Sequence, residues 1–209
     1  MSIHLFNHAI NTTDVIMTIS DPHLTETFIS GEQVYKGHFL QVERDVVAMP
    51  DGKEAAREYI KHPGAVVILP LFEDGNVLLE RQFRYPLNRV FVEFPAGKID
   101  YNEDPLVCAK RELLEETGYT ASSWQFVCTI HNAIAYSDEH LDIYLAKGLT
   151  EGEAQLDEGE FLEVYRAPLS DLMASIQSGS VTDVKTIIGA FWLEKILAGT
   201  WHASDVVSG

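Results

Sequence analysis

The stretch Gly97–Tyr119 reads GKIDYNEDPLVCAKRELLEETGY, and the rest of the chain is organised around it. Asp104-Pro105 is a helix start: the carboxylate can accept from the free N–H groups of a first turn, and proline fits the first helical position. Gly118 is a natural stop. The spacing predicts a helix from about Pro105 to Thr117, with Leu106, Ala109 and Leu113 turned to the core. Glu112, Glu115 and Glu116 are three and four residues apart and share one face. Carboxylates so grouped repel one another unless a cation lies between them, and hard oxygen donors suit Mg²⁺ or Mn²⁺. The plainer alternative is a solvated acidic helix face.

Upstream of the helix, Ala65 to Leu71 reads as a buried strand. Asp74-Gly75-Asn76 is a hairpin turn, Val77 to Phe83 its partner strand, and Arg89 to Phe94 a short strand leading into Pro95-Ala96-Gly97. Pro63-Gly64 marks a boundary. Before it, Phe28-Ile29, Gln33 to Tyr35, His38 to Val47 and Lys53 to Lys61 read as strands, with Gly31 and Gly37 as breaks and Pro50-Asp51-Gly52 as a turn. Such an element is too thin in apolar residues to stand alone. It is either an extra sheet on its own domain or a dimerisation arm. Residues 1–27 are weakly patterned. Downstream, Trp124 to Ile130, Leu141 to Ala146 and Phe161 to Ala167 read as strands. Leu169 to Ser178 and Asp183 to Leu197 read as helices, and the residues after Thr200 as a loose tail. The expected organisation is a β-rich arm over 1–62, a main domain over 63–200 and a flexible tail over 201–209. No internal repeat or low-complexity segment is present.

The chain has 209 residues, 46% of them hydrophobic, enough for a sizeable core. Its formal net charge of -17 excludes nucleic-acid binding through a general basic surface, but not capture of a small phosphate compound whose charge a metal neutralises. The start has no basic cluster followed by a long apolar run. No stretch approaches the roughly 18 apolar residues of a membrane span. Cys108 and Cys128 form no disulfide framework. A cytoplasmic protein with reduced cysteines is expected.

Gly97, Glu103, Arg111-Glu112-Leu113, Glu115-Glu116 and Gly118, at these spacings, resemble the complete Nudix box, with Tyr119 where an aliphatic residue is usual. The resemblance implies an α/β/α sandwich with a central mixed sheet, to which the small antiparallel N-terminal β element is added. It implies water attack on a diphosphate, aided by Mg²⁺ or Mn²⁺. It also implies metal oxygens from Glu112, Glu115, Glu116 and the Ala96 carbonyl. Arg111 would orient a glutamate, Glu103 would support the loop, and Gly97 and Gly118 would be structural.

Further segments resemble the ADP-ribose and nucleoside diphosphate sugar pyrophosphatase branch. They are Val34 to Phe39, Arg57-Glu58-Tyr59, His62 to Ala65, Arg81 to Arg84, Glu93 to Gly97 and Thr182 to Thr186. That branch implies a homodimer with crossing N-terminal strands, with His38 and Arg57 flanking the base and Arg84 on the diphosphate. It implies a general base in the acidic loop, where Glu158 is the best positional match and Glu160 and Glu163 are rivals. The usual Ser-Pro-Gly segment after the box is replaced here by Asn132-Ala133-Ile134-Ala135-Tyr136-Ser137-Asp138-Glu139. Glu139 is the candidate for the distal ribose hydroxyls and Tyr136 for substrate contact. ADP-ribose is the first expected substrate, giving AMP and ribose 5-phosphate. Another nucleoside diphosphate sugar is the second, and a sensor that binds ADP-ribose without turnover the third.

Overall fold

The computed structural model describes residues 21–156 and 159–208. Most of the weakly patterned N-terminal stretch, and the acidic-loop residues Asp157 and Glu158, lie outside the described residues.

Three strands open the described chain: β1 (Thr27–Lys36), β2 (Gln41–Ala48) and β3 (Glu54–Lys61), paired antiparallel in that order. The Pro-Asp-Gly turn joins β2 to β3, with the Met49 N–H donating to Lys53 O and the Gly52 N–H to Met49 O, both at 2.8 Å. Gly37 lies in the β1–β2 turn, but Gly31 is not a break. It sits within β1 opposite Asp45, whose carboxylate would overlap any added Cβ. Every residue of β1 is exposed.

The body is built on β4 (Ala65–Pro70), buried at all six positions. It runs parallel to β9 (His140–Glu151) and antiparallel to β7 (Ala96–Lys98), while β8 (Tyr119–His131) pairs with β9. This makes a five-stranded mixed sheet, completed at its edge by β11 (Val207–Ser208). A second sheet places β5 (Asn76–Arg84) between β10 (Leu162–Pro168) and β6 (Arg89–Glu93). Three helices follow the expected positions: α1 (Pro105–Thr117), α2 (Leu169–Gln177) and α3 (Val184–Leu197).

The continuous apolar run of β4 is explained by cover on both faces. Val66 and Ile68 pack with Cys108, Ala109 and Leu113 of α1 and with Trp124. Val67 and Leu69 lie in the opposite core with Phe94 and with Ala190 and Leu193 of α3. Each Val, Ile, Leu or Phe side chain among them contributes about 1.5–3 kcal/mol on burial. The expected sandwich around a central mixed sheet is therefore present, with α1 fixed on one side by the same strand that anchors α3 on the other.

The segment after Thr200 is not loose as expected. Ser204 exchanges bonds with Phe126 at 2.9 Å through its backbone N–H and its hydroxyl, and Val207 pairs with Trp124. Trp201 packs against Trp192 with ring centroids 4.5 Å apart. The exposed edge of β8 offers unpaired backbone groups, and this segment covers them. Cys108 is buried, Cys128 is half-buried, and both are free thiols. Among the described residues no helix is long and apolar enough to cross a membrane.

Candidate active site

Helix α1 is held at both ends by the expected devices. Asp104 Oδ1 accepts from the N–H groups of Leu106 and Val107 at 2.9 and 3.2 Å, and Pro105 occupies the first turn. Gly118 adopts φ 75°, and its N–H donates to Leu114 O at 2.9 Å. The sequence had grouped three helix glutamates on one face, but the fold gives them different partners. Glu112 and Glu115 each accept from Arg111 Nη1, at 2.7 and 2.9 Å. Glu116 is turned inward, 5% exposed, and accepts from the Ala96 N–H at 3.1 Å.

Arg111 therefore does more than orient one glutamate. Its Nε and Nη2 also donate to the two oxygens of Glu103, both at 2.9 Å, a bidentate clamp that ties the loop to the helix. The Arg111 hydrogen bonds hold the Glu103 carboxyl down at about 2. Gly97 lies directly against Glu112, so any Cβ there would overlap the glutamate carboxylate. That contact, and not turn geometry, is why the position is glycine.

The opposite wall comes from β5 and β6. Strand alternation puts Leu78, Glu80, Gln82 and Arg84 on one face of β5. Glu80 pairs across the strands with Glu93, and both are buried. Arg84 grips Glu93 bidentately, Nε to Oε1 at 2.8 Å and Nη2 to Oε2 at 2.7 Å. Lys185 also donates to Glu93, and to Asp183 Oδ2 at 3.0 Å. Burial works against the Glu93 charge, but the Arg84 and Lys185 bonds prevail and keep its carboxyl below the ordinary range. Sequence reasoning gave no role to Glu93, Lys185 or Glu80. The available signal was a charged residue at an inward position of an otherwise apolar strand.

Glu116 and Glu80 are in the reverse condition. Burial raises the Glu116 carboxyl well above its usual range, and the charges of Glu80, Glu112 and Glu160 raise it further. Burial also raises Glu80, reinforced by Glu93. Among the described residues neither Glu80 oxygen has a hydrogen-bond partner. Buried carboxylates without counter-charge are costly. Their donor set, with Glu112 adjoining, fits a hard divalent cation such as Mg²⁺ or Mn²⁺. Among the described residues no three such side chains already converge at coordination distance.

A cavity of about 280 Å³ lies beside these groups, walled by Arg84, Ala96, Gly97, Glu139 and Lys185. Glu139 Oε2 accepts from Asn132 Nδ2 at 3.3 Å. A neighbouring groove of about 510 Å³ holds the exposed His38 and shares Phe39, His62 and Lys98 with the first. Tyr136 is 59% exposed and lines neither. Its loop is pinned to the end of β3, with the Ile60 N–H donating to Tyr136 O at 2.8 Å and Lys61 Nζ to Asp138 Oδ2 at 2.6 Å. Arg57 is on β3, paired with Glu26 through Nε at 2.9 Å, and does not reach the cavity of its own chain. Of the acidic-loop glutamates, Glu163 is drawn to Arg81 at 2.6 Å on the exposed side of β10. Glu160 is near enough to raise Glu80, Glu112 and Glu116. A larger apolar cavity of about 700 Å³ between α2 and α3 carries none of this chemistry.

Comparison with known proteins gives two family matches: the NUDIX domain over residues 61–184, and the nucleoside diphosphate sugar hydrolase N-terminal domain over residues 26–60. The chain is 38% identical to the ADP-ribose pyrophosphatase of Bacillus subtilis over 82% of its own length and 94% of that protein. It is 35% identical to the methanol dehydrogenase activator of Bacillus methanolicus over 81% and 92%. A crystal structure of an ADP compounds hydrolase superposes with a TM-score of 0.75 at 25% identity, covering 83% of this chain and 95% of that one.

Proposed function

This chain belongs to the Nudix hydrolase family, and from that premise we propose that it hydrolyses the diphosphate bond of ADP-ribose to AMP and ribose 5-phosphate, with Mg²⁺ or Mn²⁺ as cofactor. The observation that carries the reading is the meeting at one cavity of Ala96-Gly97, beside the α1 carboxylates, with the Arg84 guanidinium from the opposite wall. The substrate relatives are named for supports the choice of ADP-ribose.

In this reading Glu112, Glu116 and the Ala96 carbonyl hold the cation, with Glu115 completing the set once released from Arg111. When bound, the cation neutralises phosphoryl charge and makes water a better nucleophile. Arg84 keeps guanidinium N–H groups beyond its two bonds to Glu93, and these face a phosphate with Glu93 fixing their plane. Arg111 holds the glutamates in register. Glu158 is assigned as the base that takes the proton of the attacking water, because the helix glutamates are committed elsewhere. Oxygen from water then ends on one phosphate, and the bridging oxygen leaves with the other. Glu139 meets the distal ribose at the cavity wall, with Tyr136 near the same loop.

We further infer a homodimer. Phe28, Ile29, Val34 and Tyr35 lie exposed along β1, a surface suited to a second copy. His38 and Arg57 would then serve the base bound in the partner subunit's cavity. The departure at Ala135-Tyr136 favours, as a second reading, the same chemistry on another nucleoside diphosphate sugar.

The test is a panel of nucleoside diphosphate sugars incubated with Mg²⁺, with Mn²⁺ and with EDTA, with products separated by chromatography. AMP and ribose 5-phosphate from ADP-ribose are expected in both metals. Faster cleavage of a different sugar nucleotide selects the second reading. No cleavage of any compound refutes both.

A further inference from the structure

We propose that Glu80, on strand β5 and outside the motif-bearing helix, is an additional ligand of the divalent cation, acting beside Glu116. The inference rests on the cation reading of the site given above.

Glu80 is 0% exposed, and among the described residues both its carboxylate oxygens lack a hydrogen-bond partner. Its neighbours explain the isolation. On β6 the residue opposite is Glu93, on β10 it is Val164, and neither donates to it. The two cations in reach are already engaged: Arg84 in a bidentate pair with Glu93, and Lys185 with Glu93 and Asp183. Glu93 thus takes the direct bonds of both cations, and Glu80, one strand away, feels their charge without a bond to either. Glu116 lies near enough for the Glu80 charge to bear on it, and it is itself buried with only the Ala96 N–H as partner.

A fully buried carboxylate with neither donor nor direct ion pair is costly, and an apolar side chain would fill the position without that cost. Leu78 and Leu79 beside it are of that kind. The arrangement is coherent if the missing partner is the cation that Glu116 also requires, since divalent Mg²⁺ and Mn²⁺ take several carboxylate oxygens at once. Strand β5 then supplies one side of the coordination and α1 the other, which ties the second sheet to the catalytic helix through the ion.

The test is Mn²⁺ binding to the full chain, followed by electron paramagnetic resonance, for wild type, Glu80→Gln, Glu80→Leu and Glu116→Gln. Wild type is expected to bind. Both Glu80 variants are expected to lose at least about tenfold in affinity, the scale on which loss of even an outer-sphere partner is felt. Melting in EDTA provides a second readout: Glu80→Gln should melt at or above the wild-type temperature, because an unpaired carboxylate has been removed. Mn²⁺ affinity in both Glu80 variants within about twofold of wild type, with Glu116→Gln impaired, overturns the role of Glu80 and leaves the cation site standing. Melting of Glu80→Gln below wild type in EDTA overturns it also, since Glu80 would then support the metal-free fold. Wild type that binds no Mn²⁺ refutes the cation reading itself, and Glu80's role with it.

Discussion

Two groups of carboxylates stand within one site and are treated oppositely by the fold. Glu103, Glu112 and Glu115 gather around Arg111, whose guanidinium donates to all three. Glu116 and Glu80 are more deeply buried and receive, between them, one backbone N–H. The first group is closed by a charge the protein carries permanently, so it can hold the loop and helix in register at any metal concentration. The second is left open, and burial raises both of its carboxyls above the ordinary range. The arginine thus fixes Glu112 and Glu115 beside a deeper pair, Glu116 and Glu80, for which the chain supplies only the Ala96 N–H.

Removing the permanent charge should have the largest effect on stability. Arg111→Ala leaves Glu112 and Glu115 without a donor and Glu103 with only the Asp100 N–H. Because Arg111 is 30% exposed, a loss near the low end for broken buried pairs is expected, about 3 kcal/mol, measured by denaturant unfolding. A loss below about 0.5 kcal/mol, as at ordinary surface sites, would mean that the closed group is a solvated face after all.

Gly97→Ala tests the contact between strand β7 and helix α1 with a single methyl group. Its Cβ must displace the Glu112 carboxylate, so a cost of about 1–3 kcal/mol typical of overpacking is expected, together with weaker Mg²⁺ binding. Unchanged Mg²⁺ affinity by calorimetry would show Glu112 to be dispensable to the ion.

A smaller effect sharpens the contrast through pH. Glu116 and Glu80 have folded-state values raised above 4.5. Above about pH 4.5 the native state therefore holds more protons than the unfolded chain, and metal-free stability falls as pH rises through the raised values. Cation binding needs these carboxyls ionised, so it releases protons and tightens with pH. The rise in melting temperature on adding Mg²⁺ should be greater at about pH 8 than at about pH 6. An equal or smaller increment at the higher pH would contradict the open group.

The helix and the shared face of Glu112, Glu115 and Glu116 were legible in the sequence because they are local, but the split that gives Glu103, Glu112 and Glu115 to Arg111 and turns Glu116 inward was not. Cap, stop and glutamate spacing in α1 all lie within one stretch, and helix geometry converts spacing into position. The apolar run of β4 was legible as a buried strand, while the sandwich around it was expected only from the resemblance of the Gly97–Gly118 motif. The opposite wall was not legible in that way. Glu80 and Glu93 come from strands whose cross-strand register is set by tertiary packing, and Lys185 arrives from 92 residues beyond Glu93 on the capped start of α3. Gly31 reads as a break only until Asp45 is opposite it, and the segment after Thr200 reads as loose only until the edge of β8 is present. Arg57 has a firm place on β3, yet its proposed use depends on a second copy of the chain.

The most direct measurement is AMP released from ADP-ribose by EDTA-stripped protein as Mg²⁺ is added back, for wild type and Glu116→Gln in parallel. Saturable recovery in wild type and turnover more than about 100-fold lower in Glu116→Gln are expected, beyond the range for outer-sphere losses. Full turnover in EDTA, or Glu116→Gln turnover within about twofold of wild type, would contradict the metal-centred account.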